Sequence, residues 1–283
     1  MKYERFFKKY LTLIEKRLRR EFGARRKRPF IIHQAMQYAA FTGGKRFRPV
    51  LTLASCEACG GKSRNAILAA LAIELIHTYS LVHDDLPALD NDDTRRGKPT
   101  CHKKFNEANA ILAGDGLLTL AFEFLAGIRP ADRAIRLVHE VATAAGVHGM
   151  IGGQVADLEA PARKKTLAEH DFISRYKTGA LLRVSAVAGA IAAGANTRKL
   201  KAITRYGECI GLAFQVVDDI LDRDGYCKAM SVAAATKKAV RLIEQAKKET
   251  KLFGAKGKSL VFLADFLQSR IPTPPTRCGG LKE

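Results

Sequence analysis

The segment FQVVDDILD, residues 214–222, sets three aspartates in an otherwise apolar run. Asp218 and Asp222 are four apart, so on a helix they share a face, with Asp219 adjacent and Gln215 about one turn earlier. Carboxylates on one side of an apolar helix are costly to bury without counter-charge. The segment therefore implies a helix whose acidic end looks into a polar cavity.

Upstream, LVHDDLPALDNDDTRRGKPT (81–100) puts five aspartates within ten positions and follows them with Arg95, Arg96 and Lys98. Close carboxylates repel unless they are protonated, matched to cations or bound to metal. Asp84 and Asp85 close an apolar helix, and Asp90, Asp92 and Asp93 follow Pro87. One such cluster would fit helix capping and surface ion pairs. Two clusters, each opening Asp-Asp after an apolar helix, argue for convergence across a cavity. Hard oxygen donors suit Mg²⁺, which keeps waters and bridges one or two carboxylates to substrate phosphates. A third stretch, FTGGKRFRPV (41–50), offers two glycines, Lys45, Arg48 and a proline suited to a first helical turn. Alone it is a basic turn; with the others it is a candidate anion cradle. His77 lies seven residues before Asp84, two turns and about 10 Å away on nearly the same face.

The rest of the chain reads as helix. Apolar spacing of helical period marks 6–22, 30–41, a start near Pro49, and 65–85 broken by Pro87. It continues over 105–127, 131–146, 149–159, 168–194, 197–223, 231–252 and 256–270. Strand-type alternation is scarce and connections are short. These features predict one all-α domain of about ten or eleven helices over residues 1–270, with a disordered tail at 271–283. VSAVAGAIAAGA (184–195) reads as a closely packed helix, and no apolar run in the sequence approaches the ~20 residues that cross a bilayer. Cys56 and Cys59 form a CxxC with no second pair or nearby histidine, so they read as buried thiols. The N-terminus lacks an apolar signal region, and the expected compartment is the cytosol. Net charge is +20, with 12 Lys/Arg against 3 Asp/Glu in residues 1–28. RLRREFGARRKRP (17–29) reads as a solvated basic helix end, with no specific nucleic-acid target.

GGKRFRP, LVHDDLPALDNDDTRRGKPTCH, GGQVADL, YKTGAL and FQVVDDILD occur in this order across roughly 40–225. Together they resemble the short-chain trans-isoprenyl diphosphate synthases, most closely the bacterial farnesyl diphosphate synthases. The resemblance implies an orthogonal α-helical bundle around a deep central cavity, a homodimer, and three Mg²⁺. It implies that Lys45, Arg48, His77 and Arg96 hold the diphosphate of isopentenyl diphosphate. Asp84 and Asp90 would bind two Mg²⁺ and Asp218 the third, with Asp85, Asp219 and Asp222 as supporting ligands. Arg95 and Lys177 would bind the allylic diphosphate, and Thr178 and Gln215 would line that site. Tyr79, five residues before Asp84, would form the floor that stops the product at fifteen carbons.

The chemistry implied is ionisation of the allylic diphosphate, attack by the isopentenyl double bond, and proton loss to pyrophosphate. No protein nucleophile is required. A class I terpene cyclase would replace the second aspartate motif and lack the cradle, so DDILD and GGKRFRP argue against it. The segment after DDILD departs from the resembling family: RDGYCKAMSVAAATKKAV runs almost directly into the next helix, without the usual loop lysine. That departure keeps a non-catalytic diphosphate-binding paralogue open beside a farnesyl or geranylgeranyl diphosphate synthase. It also makes Lys228 a candidate replacement.

Overall fold

The structure is a computed structural model and describes residues 2–24, 28–160 and 165–272. The chain runs through α1 (Lys2–Gly23), α2 (Phe30–Ala40), α3 (Phe47–Cys59) and α4 (Ser63–Asp84) to a short hairpin, β1 (Thr94–Arg95) and β2 (Lys98–Pro99). It continues through α5 (Cys101–Phe105), α6 (Glu107–Ala126), α7 (Ala131–Ala145), α8 (Met150–Leu158) and α9 (Leu167–Ile173). A π-helical segment (Ser174–Gly179) joins α9 to α10 (Ala180–Ala192); then come α11 (Thr197–Asp222), α12 (Tyr226–Ala229) and α13 (Val232–Thr250). A 3₁₀ turn (Lys251–Gly257) leads into α14 (Lys258–Ser269). Among the described residues α5, α9 and α12 have seven residues or fewer, which leaves eleven longer helices, in line with the periodicity.

The centre is α4 and α10. α4 is apolar on all sides and packs against α3, α6 and α10, as a helix without a polar face must. α10 is built from small residues for a specific reason. A Cβ on Gly189 would sit 2.1 Å from the Thr52 carbonyl oxygen, so α3 and α10 meet almost backbone to backbone. By length and composition α4 and α6 could each cross a membrane, which the sequence reading did not expect; both are packed into the bundle. Cys56 and Cys59 are buried free thiols, pushed by burial up to about 12 and about 11.

Four differences from the sequence reading are local. The expected helix 168–194 is interrupted by the π segment, whose extra residue leaves the apolar stripe nearly continuous and so escapes a periodicity argument. The expected helix 105–127 is α6, which starts at Glu107; the short α5 before it was not expected, and Asn106, at a φ of 70°, separates the two while its Oδ1 accepts the Asn109 N–H at 2.9 Å. The hairpin β1–β2 was not expected. Its two-residue loop is Arg96-Gly97, both at positive φ, the geometry a tight hairpin demands. The first helix begins at Lys2 rather than residue 6, and buries Tyr10, Ile14 and Leu18. Residues 25–27 of the basic stretch and 273–283 of the expected tail lie outside the described residues.

Candidate active site

The GGKRFRP turn is built around Arg96. Gly43 and Gly44 hold φ of 98° and 119°, and a Cβ on Gly44 would lie 2.4 Å from Arg96 Nη1. Glycine alone leaves room for the guanidinium, which donates to the Gly43 carbonyl. Arg46 turns inward: Nη1 donates to Glu74 Oε1 at 2.8 Å, Nε to Glu15 Oε1 at 3.1 Å, and Nη2 to the Ala40 carbonyl at 2.5 Å. It is a structural cation. Arg48 differs, for its Nε is buried with no hydrogen-bond partner. Burial, then Arg48, Arg96, Arg46 and Arg95, hold the His77 pKa well below its ordinary value, so His77 is neutral. Burial and Arg270 also lower Lys45, against the pull of Asp218. In both cases burial is the larger cause and neighbouring cations add to it.

At the end of α4 the Asp84 carboxylate is half-buried and makes no hydrogen bond or ion pair among the described residues. Burial, with repulsion from Asp90 and Asp85, outweighs Lys177 and Arg95 and pushes its pKa up to about 6. Asp85 is buried and takes Arg95 through Nε at 2.6 Å and Nη2 at 2.5 Å. Arg95 also reaches Asp92 at 3.4 Å, so the cation expected on substrate is held by this cluster. Asp90 and Asp222 are exposed. On α11, Asp218 pairs with Arg270 at 2.8 Å. Asp219 is buried and uses both oxygens internally, accepting from Gln215 Nε2 at 2.8 Å and from the Tyr226 N–H at 2.9 Å.

Lys177 joins the two halves. It sits on the π segment, its charge is felt by Asp84, and its Nζ donates to Asp157 Oδ2 at 2.7 Å. Lys165 donates to the other oxygen of Asp157 at 2.6 Å. Thr178 Oγ donates to Gln215 Oε1 at 2.8 Å, tying the π segment to α11. A cavity of about 690 Å³ opens here, with Asp157, Lys165, Lys177, Asp219, Asp222 and Lys228 in its wall. His77, Arg95, Arg96 and Asp85 line a separate niche of about 30 Å³. Tyr79 is buried, its ring edge-on to His83 at 5.7 Å, and does not line the larger cavity.

Among the described residues no three His, Cys, Asp or Glu side chains form a ready-made metal cage. Mg²⁺ does not require one, because waters and substrate phosphates complete its shell. Asp84, an unpartnered carboxylate whose charge burial penalises, fits such an ion; Asp219, with both oxygens engaged, fits a supporting role.

Residues 29–239 match the polyprenyl synthetase family. The chain belongs to that family. This polyprenyl synthetase is 40% identical to the farnesyl diphosphate synthase of Geobacillus stearothermophilus, covering 94% of this chain and 97% of the relative. It is 43% identical to the chloroplastic geranylgeranyl pyrophosphate synthase of Capsicum annuum, covering 86% and 73%. The solved FPP/GFPP synthase of Zymomonas mobilis superposes with a TM-score of 0.86 at 36% identity, covering 92% and 98%. The protein is thus a prenyltransferase with the all-α isoprenoid synthase fold.

Four site residues went unassigned in the sequence. Glu74 had a signal, a carboxylate inside an apolar helix, and it required the cation that Arg46 supplies. Asp157 stood in GGQVADL, but spacing cannot show that it faces Lys177. Lys165 and Arg270 gave none, since each approaches its partner only through packing.

Proposed function

We propose that this prenyltransferase condenses isopentenyl diphosphate head-to-tail with dimethylallyl and geranyl diphosphates to give farnesyl diphosphate, with Mg²⁺, as a cytosolic homodimer. The observation that supports it most is that one molecule carries both a buried Arg48 Nε with no partner and a half-buried Asp84 carboxylate with no hydrogen bond or ion pair among the described residues. The first suits a diphosphate bound without metal, the second a diphosphate bound through metal. When bound, Mg²⁺ neutralises charge on the departing pyrophosphate. Lys177 and Arg95 orient that leaving group, and Thr178 and Gln215 present oxygen dipoles towards developing positive charge. Lys45, Arg48 and Arg96 hold isopentenyl diphosphate, with neutral His77 available to donate or accept a hydrogen bond.

The farnesyl product rests on the family resemblance, in which an aromatic at the position of Tyr79 forms the floor; Tyr79 is buried, five residues before Asp84. A relative named for geranylgeranyl pyrophosphate supports a twenty-carbon product as the second reading. Purified protein supplied with both five-carbon substrates and Mg²⁺ should release C15 product, and excess EDTA should abolish it. Tyr79→Ala should lengthen the product. Turnover undiminished by EDTA would overturn the metal role, and a C20 product from the unaltered chain would install the second reading.

A further inference from the structure

We propose that Lys165 is a second lysine of the allylic-diphosphate subsite, held beside Lys177 by Asp157 until a diphosphate replaces that carboxylate. The proposal rests on the prenyl-transfer reading of the cavity. Its position is fixed rather than tethered, because Lys165 immediately precedes a capped helix. Thr166 Oγ accepts the Glu169 N–H at 3.3 Å, and Glu169 Oε2 accepts the Thr166 N–H at 2.7 Å. α9 then runs directly into the π segment, so Lys177 on that rod and Lys165, two residues before its start, both reach Asp157 on α8.

The charge balance points the same way. Two ammonium groups share one carboxylate, one on each oxygen, which leaves the group cationic towards the cavity. Both lysines remain about a third exposed, so a ligand entering the cavity can reach them. A diphosphate offers more charge and more acceptor oxygens than one aspartate, and charge-assisted bonds to it are the stronger exchange. Lys228, in the same wall, is placed differently. It sits on α12, is engaged by Asp224 at 2.5 Å and is 65% exposed.

Titration calorimetry of inorganic pyrophosphate with Mg²⁺ against the full chain tests this. Lys165→Met should weaken pyrophosphate binding by roughly tenfold, as loss of a charged hydrogen bond does. Lys165→Arg should restore most of that loss, and Lys228→Met should change binding by no more than about twofold, as an exposed pair implies. In steady state Lys165→Met should raise KM for the allylic substrate and leave KM for isopentenyl diphosphate unchanged. Wild-type pyrophosphate affinity in Lys165→Met, with the parent active in prenyl transfer, overturns the subsite and spares the catalytic reading. Lysine-dependent pyrophosphate binding in a chain that forms no prenyl product supports the subsite and overturns the catalytic reading.

Discussion

Arg46 and Arg48 stand two positions apart and behave as opposites. Arg46 neutralises Glu74, whose side chain is 7% exposed, and closes α2 through the Ala40 carbonyl. Its removal strands a buried carboxylate, and breaking a buried pair costs about 3 kcal/mol or more. Arg48 keeps a buried Nε with no partner, and burial lowers its pKa, so its charge opposes folding in the absence of an anion. Arg46→Met should therefore lose about 3 kcal/mol of stability in urea. Arg48→Met should hold or gain stability and raise KM for isopentenyl diphosphate by roughly tenfold or more. Equal destabilisation of the two variants would refute this division of labour.

At the scale of elements, the π segment is where packing sets chemistry. A Cβ on Gly153 would lie 2.1 Å from the Lys177 backbone nitrogen and 2.6 Å from its Cα. On the other side Gly211 of α11 would carry its Cβ 3.0 Å from Gly179 Cα. Two glycines on separate helices thus admit the segment from both sides, and it delivers Lys177 to Asp157 and Thr178 to Gln215. Displacing it by a fraction of an ångström to an ångström moves both groups together. Gly153→Ala should lower kcat/KM by about a hundredfold, the usual effect of misplacing a reacting group by ~1 Å. The helical circular dichroism should stay intact. Near-normal turnover would show that the close approach has no role in placing Lys177.

For the whole molecule, the cavity end is tied together by charge across three elements. Asp171 of α9 accepts from Lys238 of α13 at 2.5 Å and from the Tyr226 hydroxyl of α12, and Lys238 lies 4.7 Å from the Tyr226 ring centroid. Lys238 and Tyr226 hold the Asp171 pKa below its ordinary value, against burial. A depressed carboxylate stabilises the fold above its unfolded pKa, near 4, and that contribution disappears as pH falls through the folded value. Urea midpoints at pH 6 should place Asp171→Asn below the parent, and the gap should close as pH drops below about 4. A gap constant from pH 6 to pH 3 would assign the loss to packing instead. With 48 basic against 28 acidic residues, each carboxylate lost to acid also adds to self-repulsion.

The sequence by itself determined the fold class and the prenyltransferase family. Apolar spacing fixed where the long helices run, because burial of one face is a local pattern. The four-residue step from Asp218 to Asp222 fixed their shared helical edge for the same reason. The charged residues of 41–50 and 81–100 pointed to an anion site as an expectation, because uncompensated charge is costly to keep without a partner. The pairings were decided only by tertiary structure: Arg46 with Glu74, Asp218 with Arg270, Lys165 and Lys177 with Asp157. Each joins positions that no helical period relates, across a distance set by how closely two backbones approach. That approach depends on single glycines and on one extra residue in a π turn, whose effect on the pattern along the chain is small and whose effect on packing is large.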